Sequence, residues 1–322
     1  LDLNAGNSIS INGEFSGNGT LDANSAVVTL NGAINFTGTF TSNSSTNLSI
    51  SNTGAITSLP TITNLNNFVL NRVGSTISLS GSLRCYGNCT ITNGTMDING
   101  RTLQVDGTLS GTGTVDATGN STLISSSAID FSTFILNSDQ TTSITFQTAG
   151  TISNLPALTD LNNLVLNRAG ITLTLSGPLH LHSNLSISAG TISNEYDLQI
   201  DGTTTVNGTL NMNHALAANR TLTFGSTLSG TGTIKALPTA SYLSVYIHGA
   251  YSFTNASGVF STNANVDLYV AGTSGNNFTM DASITDLRTL TIQSNPGRIV
   301  QLSSDLEITT GGLVFANSGS NE

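Results

Sequence analysis

The chain has no tryptophan, a single lysine (Lys235) and only 8% charged residues among 322. Ordinary globular proteins have roughly a quarter of their residues charged, so something other than ions must keep this surface wet. Eight basic residues face eighteen acidic ones, giving a net charge of −10 and a pI near 4.5. That balance repels a phosphate backbone and excludes nucleic acid as a partner, because such binding needs a basic footprint. It disfavours an anionic membrane surface for the same reason. No apolar run approaches the roughly 20 residues of a membrane-spanning helix, so membrane insertion is not expected. The Ala-, Glu-, Lys- and Leu-rich runs that build helices are missing too. No signal peptide is visible, and the chain starts at Leu1 without a methionine, which points to a mature protein or an excised segment.

What is present is Asn (37), Ser (42), Thr (49) and Gly (33), together half of the chain. This is not a disordered composition, because 37% of residues are hydrophobic and they recur at regular spacing. Short runs alternate apolar and polar residues, as in Ser8-Ile9-Ser10-Ile11, Thr76-Ile77-Ser78-Leu79, Thr102-Leu103-Gln104-Val105 and Thr221-Leu222-Thr223-Phe224. Each reads as a strand with one face inward, a state that suits Thr, Val and Ile. The Asn-Gly, Asp-Gly and Ser-Gly pairs between them supply the positive φ that sharp corners need.

The chain also repeats itself over 96 residues. Leu65-Asn66-Asn67-Phe68-Val69-Leu70-Asn71-Arg72 returns as Leu161-Asn162-Asn163-Leu164-Val165-Leu166-Asn167-Arg168, and after a one-residue deletion Leu103-Gln104-Val105-Asp106-Gly107-Thr108 returns as Leu198-Gln199-Ile200-Asp201-Gly202-Thr203. The related stretches lie near 59–117, 155–212 and, more loosely, 284–315. A corner phrase recurs independently: Ser16-Gly17-Asn18-Gly19-Thr20, Ser110-Gly111-Thr112-Gly113-Thr114 and Ser229-Gly230-Thr231-Gly232-Thr233. Strand spacing alone would fit a β-sandwich, but end-to-end repetition without a composition break favours a solenoid. The expected fold is all-β: one continuous parallel β-helix over 1–322, three-sided and right-handed, with about 14 coils of about 24 residues.

In such a stack, Asn71 and Asn167 at equivalent corners are candidates for amide ladders in the core. The two cysteines, Cys85 and Cys89, align with Leu181 and Leu185 of the second copy, whose leucines alternate inward on either side of a turn. Both cysteines are therefore expected to point inward, as a disulfide suited to an oxidising setting or as two buried thiols. An irregular insertion is expected near 240–280, where four of the six tyrosines lie: Tyr242, Tyr246, Tyr251 and Tyr269. Alternation of Leu243, Val245 and Ile247 toward the core would place Tyr242, Tyr246 and His248 outside, either to stack on a ligand or neighbour or to pack under an insertion loop.

The phrases Leu161-Asn162-Asn163-Leu164-Val165-Leu166-Asn167 and Thr102-Leu103-Gln104-Val105-Asp106-Gly107-Thr108-Leu109-Ser110-Gly111-Thr112-Gly113-Thr114 resemble the repeats of large secreted bacterial β-solenoid proteins. Similar repeats occur in cell-surface adhesins and in extracellular filaments of gliding bacteria. The resemblance implies export, a parallel β-helix and a place in a longer polypeptide, and it implies no catalytic residues.

The acids give no sign of polysaccharide cleavage, since the closest pairs, Glu195/Asp197 and Asp305/Glu307, read as solvated i, i+2 neighbours. His180 and His182 share a strand face, but with no acid or third histidine nearby in sequence no metal is expected. No cofactor is expected either. Thr-x-Thr pairs such as Thr112/Thr114, Thr172/Thr174 and Thr231/Thr233 resemble ice-binding arrays, but their spacing is irregular. The expected function is an extracellular, non-enzymatic rod, a stalk, adhesin segment or filament subunit on the bacterial surface. Its expected partners are other copies of itself or surface glycans, with self-assembly through strand edges at uncapped ends. Carbohydrate-binding or polysaccharide-active β-helix and ice-binding solenoid are the alternatives.

Overall fold

A computed structural model describes residues 1–213, 218–239, 241–252, 259–271, 278–294 and 299–317. Among them every named strand pairing is parallel and there is no helix, so none is long and apolar enough to cross a membrane. The chain forms a parallel β-solenoid of about 14 turns. Its contacts divide it into two compact units, Leu1–Pro156 and Ala157–Glu322.

In the first unit, a coil opens with strands such as Ser8–Ile11, Phe15–Gly17 and Thr20–Asp22, and the next coil repeats them as Val27–Leu30, Ile34–Phe36 and Thr39–Thr41. Three strands per coil give three faces. Side-chain alternation then builds interior files: Val28, Leu48, Phe68, Cys89, Leu109 and Ile129 pair in succession and are all 2% exposed or less. Burying each such side chain stabilises by about 1.5–3 kcal/mol. In the second unit, Leu179, Leu198, Leu222, Val245, Leu268 and Leu290 form another interior file.

Coil length differs from the expected value. Successive registers carry Phe68 to Cys89, Leu109, Ile129 and Ile152, so four coils from Phe68 end at Ile152. The repeat counterpart of Phe68 is Leu164, further along the chain, so one sequence repeat spans more than four coils. Longer coils appear in the second unit, where Leu198 pairs with Leu222 and Leu222 with Val245. Within the 240–280 stretch, where an irregular insertion is expected, the described strands Leu243–Ile247 and Val266–Val270 pair in parallel register. Residues 240, 253–258 and 272–277 of that stretch lie outside the described residues.

The recurring Ser-Gly-x-Gly phrase has a steric origin. Gly17, Gly111 and Gly230 sit at φ of 122°, 125° and 137°, where an L side chain is strained. A Cβ at Gly111 would collide with the Ile91 carbonyl oxygen of the coil beneath, and one at Gly230 with that of Val206. The coils touch backbone to backbone at this corner.

The Asn-Arg pair reverses the expected roles. In strand Asn67–Ser78 the inward positions are Phe68, Leu70 and Arg72, so the period of two turns Asn71 outward into solvent. Asn167 is likewise outside, beside the fully buried Arg168. Asn71 does join an amide ladder, accepting from Asn93 Nδ2 at 2.7 Å, but on the outer surface. Among the described residues the fully buried asparagine is Asn194, which closes its own turn on the backbone of Tyr196. Inside, the Arg72 guanidinium donates to the carbonyls of Gly32 at 2.7 Å, Gly54 at 3.0 Å and Ser51 at 3.1 Å. Burial lowers the pKa of both arginines, that of Arg168 to about 10, so each remains charged at neutral pH.

Candidate functional site

The outward aromatic residues are positioned by strict coil-on-coil register. Leu243, Val245 and Ile247 are fully buried, which turns Ser244 and Tyr246 out along one strand and leaves Tyr242 and His248 exposed at its ends. Tyr246 pairs with Tyr269 in the next coil. Their rings stack at 4.4 Å between centroids and 11° between planes, close to the strand spacing itself. The His248 ring lies parallel to Tyr246, 5° between planes and 6.1 Å away. Together with Val270, Ala271, Thr291, Gln293 and Ala316 these three rings line a hollow of about 280 Å³. Burial, and secondarily the Asp267 charge, raises the Tyr269 phenol above its ordinary value, so it stays a neutral donor.

Tyr242 serves differently from its neighbours. The Arg288 guanidinium lies 3.8 Å over its ring and grips the buried Asp267 with two nitrogens, Nε donating to Oδ1 at 2.8 Å and Nη2 to Oδ2. Tyr242 is thus occupied by a cation, and the partner of Tyr246 is Tyr269. Tyr251, the fourth tyrosine of the stretch, is 8% exposed and packs in the core against Phe278. Its placement follows from register, since it pairs with Leu228.

Cys85 and Cys89 both point into the core, fully buried, and stand as free thiols rather than as a disulfide. The hydrogen bond between them, and then burial, push the Cys85 thiol above its ordinary value, which makes it a poor nucleophile. Asp197 is taken up by the Thr221 amide at 2.7 Å, and Asp305 and Glu307 are exposed to solvent. Thr172, Thr191, Thr209 and Thr233 form a single file across four coils. The adjoining file is Thr174, Ser193, Asn211 and Lys235, so no flat two-file threonine array results.

One cluster escapes a linear reading. Strands Asp160–Leu161, Leu179–Leu181 and Leu198–Ile200 stack with Asp160 opposite His180 and His180 opposite Gln199. Carboxylates from the coils on either side therefore flank the two histidines. His180 Nε2 is 2.7 Å from Asp201 Oδ2, and His182 Nε2 is 3.1 Å from Asp160 Oδ1. The hydrogen bond to His182 is the main influence holding Asp160 below the usual carboxylate range. Burial raises Asp201, but hydrogen bonds from Gln199 and His180 outweigh it and hold that group low as well. The true coil length is the signal that reveals the cluster, since Asp160, His180 and Asp201 each fall one coil after the last.

Comparison with protein-family models, curated proteins and solved structures finds no match to this chain.

Proposed function

We propose that this chain is an extracellular, non-catalytic β-solenoid segment of a bacterial surface adhesin or filament, and that it holds saccharide on its tyrosine platform. The observation that carries this reading is the Tyr246–Tyr269 stack, half-buried and flat beside a hollow of about 280 Å³. Aromatic faces present an apolar body with a polar tip, which suits the C–H face and hydroxyl rim of a sugar ring. Thr291, Gln293 and His248 supply polar groups around the hollow. Asp267, the carboxylate nearest in register to Tyr269, is buried and held by Arg288, which favours binding over acid–base cleavage. Elsewhere the outer files of Ser, Thr and Asn offer many weak polar contacts that add along the stack. Export is supported by the likeness of the repeats to those of secreted solenoid proteins.

The test is a glycan array followed by pull-down on insoluble polysaccharide, with light scattering to register self-association. Wild type should bind at least one glycan class, and Tyr246→Ala with Tyr269→Ala should weaken that binding about tenfold, as expected from losing two stacking rings. Wild-type protein that binds no glycan, or a double variant that binds as tightly, overturns the saccharide reading. Thermal hysteresis in the wild type would move the chain to the ice-binding class.

A further inference from the structure

We infer that Asp160, His180 and His182 form a binding site for a divalent transition-metal ion, with Asp201 as the carboxylate that orients His180. Each of the three residues offers a donor atom, and the three donors lie within 4.8 Å of one another. Ions such as zinc hold nitrogen and oxygen ligands at about 2.0–2.2 Å, which places neighbouring donors about 3.3–3.6 Å apart. The separations from Asp160 Oδ1 bracket that range, 3.1 Å to His182 Nε2 and 3.9 Å to His180 Nδ1. His180 Nε2 is engaged with Asp201 at 2.7 Å, which leaves Nδ1 to face Asp160. A metal-bound imidazole whose other nitrogen donates to a carboxylate is the usual supporting arrangement. Asp201 is itself fixed, accepting from Gln199 Nε2 at 2.8 Å.

The scaffold is rigid enough to hold such a site. Leu179 and Leu181, which flank His180 on its strand, are 3% and 0% exposed, so the histidines project from a locked backbone. Their rings lie 3.9 Å apart, tilted by 38°, without either leaving the surface. The four side chains remain between 29% and 45% exposed, so an ion can enter from solvent and keep a coordination position for water or an external donor. Two histidines and one carboxylate suit zinc, cobalt, nickel, copper or ferrous iron, and not calcium or magnesium, which take oxygen ligands. Bound there, the ion would tie two adjacent coils directly, and a third through Asp201.

The chain supplies its own control variant. In the first copy of the repeat, the equivalent positions carry Asn64, Arg84, Tyr86 and Asp106, in the same strand register and in a folded environment. His180→Arg with His182→Tyr therefore writes residues that this scaffold already accommodates. Calorimetric titration of the full chain with Zn²⁺ should give one equivalent bound per chain. Titration with Cu²⁺ should give an electron paramagnetic resonance spectrum with two imidazole nitrogens. The double variant, its strand content checked by circular dichroism, should lose the stoichiometric site, and Asp160→Asn should weaken it by about tenfold or more. Wild-type protein that takes up no stoichiometric Zn²⁺, or a Cu²⁺ spectrum without two nitrogens, overturns the proposal. So does a folded double variant that binds as tightly as wild type.

Discussion

The two copies of the long sequence repeat agree on the inside and diverge on the outside. Leu83 and Cys85 in the first copy, Leu179 and Leu181 in the second, are buried to 3% or less. Both copies carry a glutamine that donates to the following aspartate at 2.8 Å, Gln104 to Asp106 and Gln199 to Asp201. The outward residues are of different chemistry. In the first copy Arg84 pairs with Asp106 at 2.7 Å and lies 4.3 Å over the Tyr86 ring, so cation, anion and aromatic satisfy one another. In the second copy the same places hold two histidines between two carboxylates, with donor atoms to spare. Interior files fix the backbone, and the outer positions are then free to change chemistry without disturbing it.

The largest expected effect lies where the copies are alike. Gly94 and Gly190 sit at φ of 92° and 87°, each against the carbonyl oxygen of an inward arginine in the coil beneath. Alanine at either site adds backbone strain to a clash with main chain, so each should cost about 3 kcal/mol in denaturant unfolding. A loss under half of that at one site alone would show the two corners to be energetically unlike.

Arg72→Met comes next. It orphans the carbonyls of Gly32, Ser51 and Gly54 but also removes a desolvated charge. The partial offset leaves a net loss of about 2 kcal/mol, together with faster amide exchange in strands Val27–Leu30 and Asn47–Ser51. By contrast Arg84→Ala touches an exposed ion pair and should shift stability by less than about 1 kcal/mol.

The smallest effect is on pH dependence. Asp106, Asp139, Asp160 and Asp201 all have lowered pKa values, that of Asp139 to about 2 where hydrogen bonds from Thr141 and Gly119 outweigh burial. Depressed carboxylates contribute stability above their unfolded pKa of about 3.9, and that contribution is lost as pH falls through the folded value. Unfolding midpoints should therefore be flat above about pH 5 and decline toward pH 2. Asp160→Asn, which writes the first copy's Asn64 into the second, should make that decline slightly shallower. An unchanged acid limb would show that Asp160 gains nothing from His182 in the folded state.

The stack is legible in the sequence because a period of two is hard to disguise. Ile77, Leu103 and Leu222 can be assigned inward from their neighbours alone, and Cys85 and Cys89 from their leucine counterparts. Coil length is less accessible. Dividing the repeat into four equal parts makes each coil too long, because four coils from Phe68 stop at Ile152 and the remaining residues before Leu164 begin another turn. That miscount hides the histidine cluster, whose carboxylates stand one coil before and one coil after His180. The arginine escapes for a different reason. Composition rules place asparagine inside a solenoid corner before arginine, since buried arginine is rare unless its donors are met. Here carbonyls of two earlier coils take its two terminal nitrogens, while Nε is buried without a partner.

That interior guanidinium bears on how the stack avoids mistakes. Parallel coils of similar sequence could slide by one rung and still bury grease on grease. A slipped Arg72 would lose the carbonyls of Gly32, Ser51 and Gly54, and a buried charge parted from its acceptors costs several kcal/mol, a penalty that no apolar residue could levy. Because its acceptors belong to two different coils, one side chain clasps three layers into a single alignment.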